Sequence, residues 1–177
     1  VLIGTILNYL YNDGKVPAAE IAKIAQYAEN EYFGKPSGLM DQMASSVGSF
    51  ITIDFNDVAN PEIKKVDFDF ASCGYALCII DTGGNHANLT DDYAAVRGEM
   101  EGAAAVFGKD VLREVDESEF MANIPLVREK TGDRAVLRAM HFYAENKRVD
   151  AEVAALSEGD FEAFKALVVE SGYSSYM

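Results

Sequence analysis

Between Glu29 and Ser46 the chain reads ENEYFGKPSGLMDQMASS. Gly34-Lys-Pro-Ser-Gly38 has the composition of a tight loop, and it feeds a short helix predicted over 39–47, with Ser37 as its expected N-cap. Asp41 then falls in the first helical turn. There the free N–H groups and the partial positive charge of the helix end favour an ionised carboxylate. The glycines of the loop let a ligand approach the backbone closely. Two readings stand on these residues alone: Asp41 caps a routine loop-to-helix join, or it presents a fixed negative charge to a ligand.

Working outward, Pro17 to Phe33 reads as a helix, with Pro17 in its first turn, one stripe of Ile21, Ile24, Ala25, Ala28 and Tyr32, and Gly34 as its stop. Upstream, VLIGTILNYLYN places Leu2, Ile3, Ile6, Leu7 and Leu10 at helical spacing, and Gly14 closes that run. No cap precedes it, so the helix is expected to start before Val1 and the chain to be a fragment, truncated at both ends. Downstream, 50–55, 64–70 and 75–81 read as three strands. The middle one sets Val66, Phe68 and Phe70 against Lys65, Asp67 and Asp69, a pattern suited to an antiparallel strand with one wet face. Residues 82–88 form a Gly- and Asn-rich loop. Helices are expected over 90–107 (capped by Thr90 or Asp91), 118–124, 133–156 and 160–170, with Ser157–Asp160 as a helix–helix turn. The fold class is α+β: mixed helices packed on a mainly antiparallel sheet.

The chain has 177 residues, of which 15 are Lys or Arg and 29 are Asp or Glu, for a net charge of −14. A balance this acidic argues against nucleic acid, which is bound through a surplus of Lys and Arg, and against an anionic membrane surface. With 49% hydrophobic residues a sizeable core is available. No run approaches the length of a membrane span, and residues 1–11 lack the basic start of a signal peptide. Cys73 and Cys78 are too few for a disulfide framework or a metal cage and read as reduced thiols of a cytoplasmic protein.

GKPSGLMDQ resembles the galactokinase segment, within the GHMP small-molecule kinases, written Gly-x-x-Cys-Gly-Ile-Met-Asp-Gln. Further on, DTGGNHANLTDDYAAVRGEMEGAAAVFG is similar to the strand, loop and helix that bring a sugar-contacting Tyr in that family. LREVDESEF, RAMHFYAENKRVDAEVAAL and GDFEAFKALVVESGYSSY resemble its later helices, in the same order. The resemblance spans nearly the whole chain and implies a GHMP-kinase-like fold. The implied reaction is transfer of the ATP γ-phosphate to the anomeric hydroxyl of galactose, giving galactose 1-phosphate. It implies Asp41 as the catalytic aspartate beside the sugar O1, acting as a base or as an orienting charge. Gly38 would be the backbone contact to the sugar and Tyr93 a sugar-contacting side chain. Glu29 would be the acidic residue near Mg²⁺, a hard cation that needs few protein ligands when it bridges phosphates. From the residues alone, Glu29 also reads as a solvated helix position and Tyr93 as a packing aromatic. His86 reads as a loop residue or a ligand-facing donor, and His141 as a helix-packing residue.

Departures from the family pattern are Ser37 for Cys, Leu39 for Ile, and Asn85-His86 with a single Arg97 where a basic residue and an Arg pair are common. They leave open a related sugar, such as N-acetylgalactosamine or arabinose, or a non-catalytic sugar sensor. The family's N-terminal sugar motif, its phosphate-binding loop and its C-terminal Gly-rich motif are not in this sequence. The nucleotide-binding residues are therefore not assignable, and this chain alone is expected to be inactive. Two segments are expected: 1–70 as the remainder of an N-terminal, nucleotide-side domain, and 71–177 as a C-terminal-type GHMP kinase domain. Expected partners are a small-molecule sugar and ATP, and a homo-oligomer through surfaces that truncation would expose.

Overall fold

Leu2–Asn12 winds into α1 as the apolar spacing predicts, and the chain leaves it through Asp13 and Gly14, both at positive φ. Gly14 holds φ 69°, a conformation that favours glycine, and a Cβ there would also push the exposed Tyr9 ring aside. The turn into α2 (Ala18–Tyr27) is held by Asn8. Its buried amide donates to the Val16 carbonyl and accepts from the Val16 N–H, each at 3.1 Å. This computed structural model describes residues 1–34, 37–81, 83 and 90–176, the side chains of Thr90 and Asp91 excepted.

The helix expected over 17–33 changes character part-way. After Tyr27 the backbone widens into a π-helical turn, Ala28–Tyr32. Such turns are rare and recur at functional sites. The short helix follows as α3, Met40–Val47, ended at Gly48 with φ 72°. Ser37 is not its cap. Leu39 occupies that position with no side-chain bond, and Ser37 turns back to Asn30 instead.

Strands β1 (Phe50–Asp54) and β2 (Glu62–Val66) pair antiparallel, Phe50 opposite Val66 and Asp54 opposite Glu62. Pairing ends at Val66, because β1 begins at Phe50, just after Ser49 at positive φ; the strand expected to run on to Phe70 is shorter for that reason. Both faces of this small sheet carry apolar groups. Ile51, Ile53 and Ile63 pack with Ala22, Leu39 and Met43 of the helical layer, while Phe50 meets Phe68 edge-on at 5.7 Å. The third expected strand does not form: Tyr75–Ile80 is irregular, with Leu77, Ile79 and Ile80 more than four-fifths exposed. Alternation alone supplies no partner edge, and a lone extended segment gains no ladder hydrogen bonds.

The contacts divide the chain into two units, Val1–Phe68 and Asp69–Met177. In the second, α4 (Thr90–Ala105), α5 (Glu117–Ala122), α6 (Ile124–Thr131) and α7 (Asp133–Glu158) surround a core of Ala103, Leu112, Phe120, Val127, Ala139 and Tyr143, and α8 (Phe161–Tyr176) packs on α7. The helix expected over 118–124 forms as α5, and a further helix that the spacing does not predict, α6, follows it. Asp116 caps α5 by accepting from the N–H groups of Ser118 and Glu119, and α6 restarts at Ile124 with Pro125 in its first turn. Residues 133–158 form one long helix, and Gly159 in the left-handed region turns it into α8, as expected. Asn85 and His86 lie outside the described residues, as do the Thr90 and Asp91 side chains expected to cap α4. Among the described residues the fold is α+β, mostly helical with one small antiparallel sheet.

Candidate functional site

The first unit holds three of the four sequence-predicted site residues. Glu29 sits half-buried on the π-helical turn, Gly38 is exposed just before α3, and Asp41 is exposed in the first turn of α3. The rigid face of α3 lies one step around the helix from Asp41. Met43 is fully buried and Gln42 is 7% exposed, so the carboxylate projects from a helix anchored on its opposite side. A side chain at Gly38 would meet nothing within 4 Å. Its backbone therefore faces open space, where another molecule can reach it.

A set of hydrogen bonds that the sequence did not announce ties these elements together. The Ser37 N–H and the Ser37 hydroxyl both donate to Asn30 Oδ1, each at 3.0 Å. In return Asn30 Nδ2 donates to the Ser37 carbonyl at 3.3 Å, and Gln26 Nε2 donates to the same oxygen at 3.1 Å. The residue next to Glu29 thus grips the residue next to Gly38. A signal existed in the sequence: two amide side chains, four apart on one helix, facing a Ser after a Gly-Lys-Pro turn. Such amides are ordinarily read as solvated surface, so the signal is weak without coordinates.

A cleft of about 480 Å³ runs beside this clasp, walled by Ile24, Gln26, Tyr27, Asn30 and Leu39 among others. Glu29, Gly38 and Asp41 are not in its wall, so it does not mark the site. Gln42 Oε1 is buried without a hydrogen-bond partner among the described residues. No group of three or more potential metal ligands exists among the described residues. The one carboxylate offered at Glu29 fits a cation that takes most of its ligands from phosphates and water, as Mg²⁺ does.

Tyr93 belongs to the second unit, on α4, and its side chain is 61% exposed. Its helix is fastened further along by Glu99, whose carboxylate accepts from both Arg134 and Arg138 of α7. Burial pushes the Glu99 carboxyl up, and the two guanidiniums more than offset this, holding it below the usual carboxylate value. His141 packs as expected, its Nδ1 2.8 Å from the Ser174 hydroxyl of α8.

Residues 1–49, which include Glu29, Gly38, Asp41 and the clasp, match the family described as GHMP kinases N terminal domain. The chain is 33% identical over 180 residues to a galactokinase of Streptomyces coelicolor, an alignment spanning 99% of this chain and 44% of that protein. A Mycobacterium tuberculosis galactokinase is 33% identical over 175 residues, spanning 96% of the chain and 46% of the relative. One from Thermotoga neapolitana is 34% identical over 156 residues, spanning 88% and 42%. The chain thus spans less than half the length of these relatives, and its similarity to them runs through both units.

Proposed function

We propose that this chain is a segment of a galactokinase-type enzyme that moves the ATP γ-phosphate to the anomeric hydroxyl of galactose. In this reading residues 1–70 contribute to the N-terminal, nucleotide-side domain and residues 71–177 to the C-terminal-type domain. The observation that carries the reading is the arrangement around α3: an exposed Asp41 on an anchored helix, three positions after a glycine whose backbone faces open space. Similarity to galactokinases across 96–99% of the chain supports it.

Phosphoryl transfer asks a protein mainly for positioning and electrostatics. Asp41 accepts a hydrogen bond from the sugar O1 hydroxyl, either taking its proton or holding it in line for attack. The Gly38 backbone and the Tyr93 side chain bind the sugar. Glu29 is the carboxylate that would hold Mg²⁺, which when bound neutralises charge on the phosphates. The other parts of the ATP site belong to regions of the family that this sequence does not include, so the chain by itself is inactive in this reading.

Kinase turnover with ATP, Mg²⁺ and a panel of sugars, measured on the full-length protein containing this sequence and on its Asp41→Ala variant, tests the proposal. Galactose turnover that falls at least about a thousandfold in the variant supports it. Preference for N-acetylgalactosamine or arabinose reassigns the sugar, and sugar and ATP binding without turnover makes the protein a sensor.

A further inference from the structure

We infer that Asn30 is a positioning residue for the sugar site, acting through the Ser37 peptide; the inference rests on the reading of Gly38 and Asp41 given above. Asn30 sits on the π-helical turn, one residue after Glu29. A π turn carries an extra residue, which rotates the side chains within it away from their α-helical directions. Asn30 uses both ends of its amide on one residue: Oδ1 takes the Ser37 N–H and hydroxyl, and Nδ2 supplies the Ser37 carbonyl, which Gln26 also serves. All polar groups of Ser37 are thereby engaged by α2 and its continuation.

The consequence for the site is geometric. Ser37 directly precedes Gly38, and the first turn of α3 starts two residues later, with Asp41 in it. Leu39, at the N-cap of that helix, makes no side-chain cap bond. Two amides instead hold the residue just before Gly38, one from α2 and one from the π turn that bears Glu29. The clasp sets the spacing between the metal-side carboxylate and the sugar-side backbone. A misplacement of one ångström at a phosphoryl-transfer centre costs rate out of proportion to the bond energy lost.

The test pairs amide hydrogen exchange at Ser37 in this chain with galactose kinetics in the full-length protein, for Asn30→Ala, Asn30→Asp and Gln26→Ala. Asn30→Ala is expected to speed Ser37 exchange and to raise the galactose KM about tenfold with a fall in kcat. Asn30→Asp keeps both accepting bonds but sets an oxygen against the Ser37 carbonyl where Nδ2 donated, so it is expected to fall between the parent protein and Asn30→Ala. Gln26→Ala loses one donor and is expected to raise KM about threefold, which keeps the test decisive if Asn30→Ala does not fold. Unchanged Ser37 exchange in Asn30→Ala overturns the inference. So does faster exchange with unaltered kinetics. Absence of galactose turnover in the unaltered full-length protein, with the Ser37 amide still protected, defeats the sugar reading itself and leaves the clasp as loop architecture.

Discussion

The phenol of Tyr143 donates to the backbone carbonyl of Val115 at 3.1 Å, and to that of Leu112 at 3.3 Å. One hydroxyl on α7 thus closes the short turn leading into α5, inside the second core. Burial, then the nearby charges of Glu117, Asp116 and Glu119, push its ionisation up to about 12 from 10.0. A group whose folded pKa is raised contributes stability that is whole below the unfolded value and is lost as pH rises toward the folded one. Unfolding measured against pH is therefore expected to show the second unit weakening between about pH 10 and 12. Tyr143→Phe removes that slope and costs about 1–2 kcal/mol at neutral pH, read from a denaturant melt.

Glu99 gives the opposite sign. Its carboxyl sits below its ordinary value, so its contribution is present above about pH 4.5 and is lost as pH falls through the folded value. Glu99→Gln is expected to flatten that acid limb and to cost about 1 kcal/mol at pH 7, the partial exposure of Arg134 and Arg138 keeping the figure low. Circular dichroism melts between pH 3 and 7 on both proteins check this.

Asn8 makes a third case. Asn8→Ala leaves the N–H and carbonyl of Val16 without their amide partner at the turn between α1 and α2. A loss of about 1–3 kcal/mol is expected. Asn8→Asp keeps the acceptor and should lie between the two, in the same urea titration.

Phe120 is fully buried and touches both Phe107 and Tyr143 in ring-on-ring contacts. Phe120→Ala is expected to cost about 3–5 kcal/mol, while Asp41→Asn, at an exposed position, changes stability by roughly 0.5 kcal/mol through the helix end. Thermal unfolding of the two variants side by side separates a packing residue from one whose proposed role is chemical.

How far these features could be read from residues alone depended on their range. Helix spacing at Leu2–Leu10 and the glycine stops at Gly14, Gly48 and Gly159 are local, and they appear where expected. The placement of Asp41 in a first helical turn is local too. Ser37 failed as a cap because a better partner, Asn30, lies seven residues back across a backbone turn that no periodicity signals. The run at 75–81 failed as a strand because strands need edges, and an edge is a property of other residues. Helix α6 lies outside the helices that spacing predicts, its eight residues being too short for a clear apolar period. The grip of two arginines on Glu99 joins residues 35 and 39 apart, beyond any spacing rule.

The open run after Tyr75 has a practical side. Leu77, Ile79 and Ile80 are alternately and consecutively apolar, carry no charge, and are 86%, 97% and 81% exposed, the makings of a self-templating seed. What opposes stacking is the net charge of −14 on each copy. That repulsion acts over about 10 Å at 0.1 M salt and about 3 Å at 1 M. Colloidal shelf life should therefore be set by ionic strength: dilute buffer keeps the protein clear, and concentrated salt nucleates fibres that stain as cross-β.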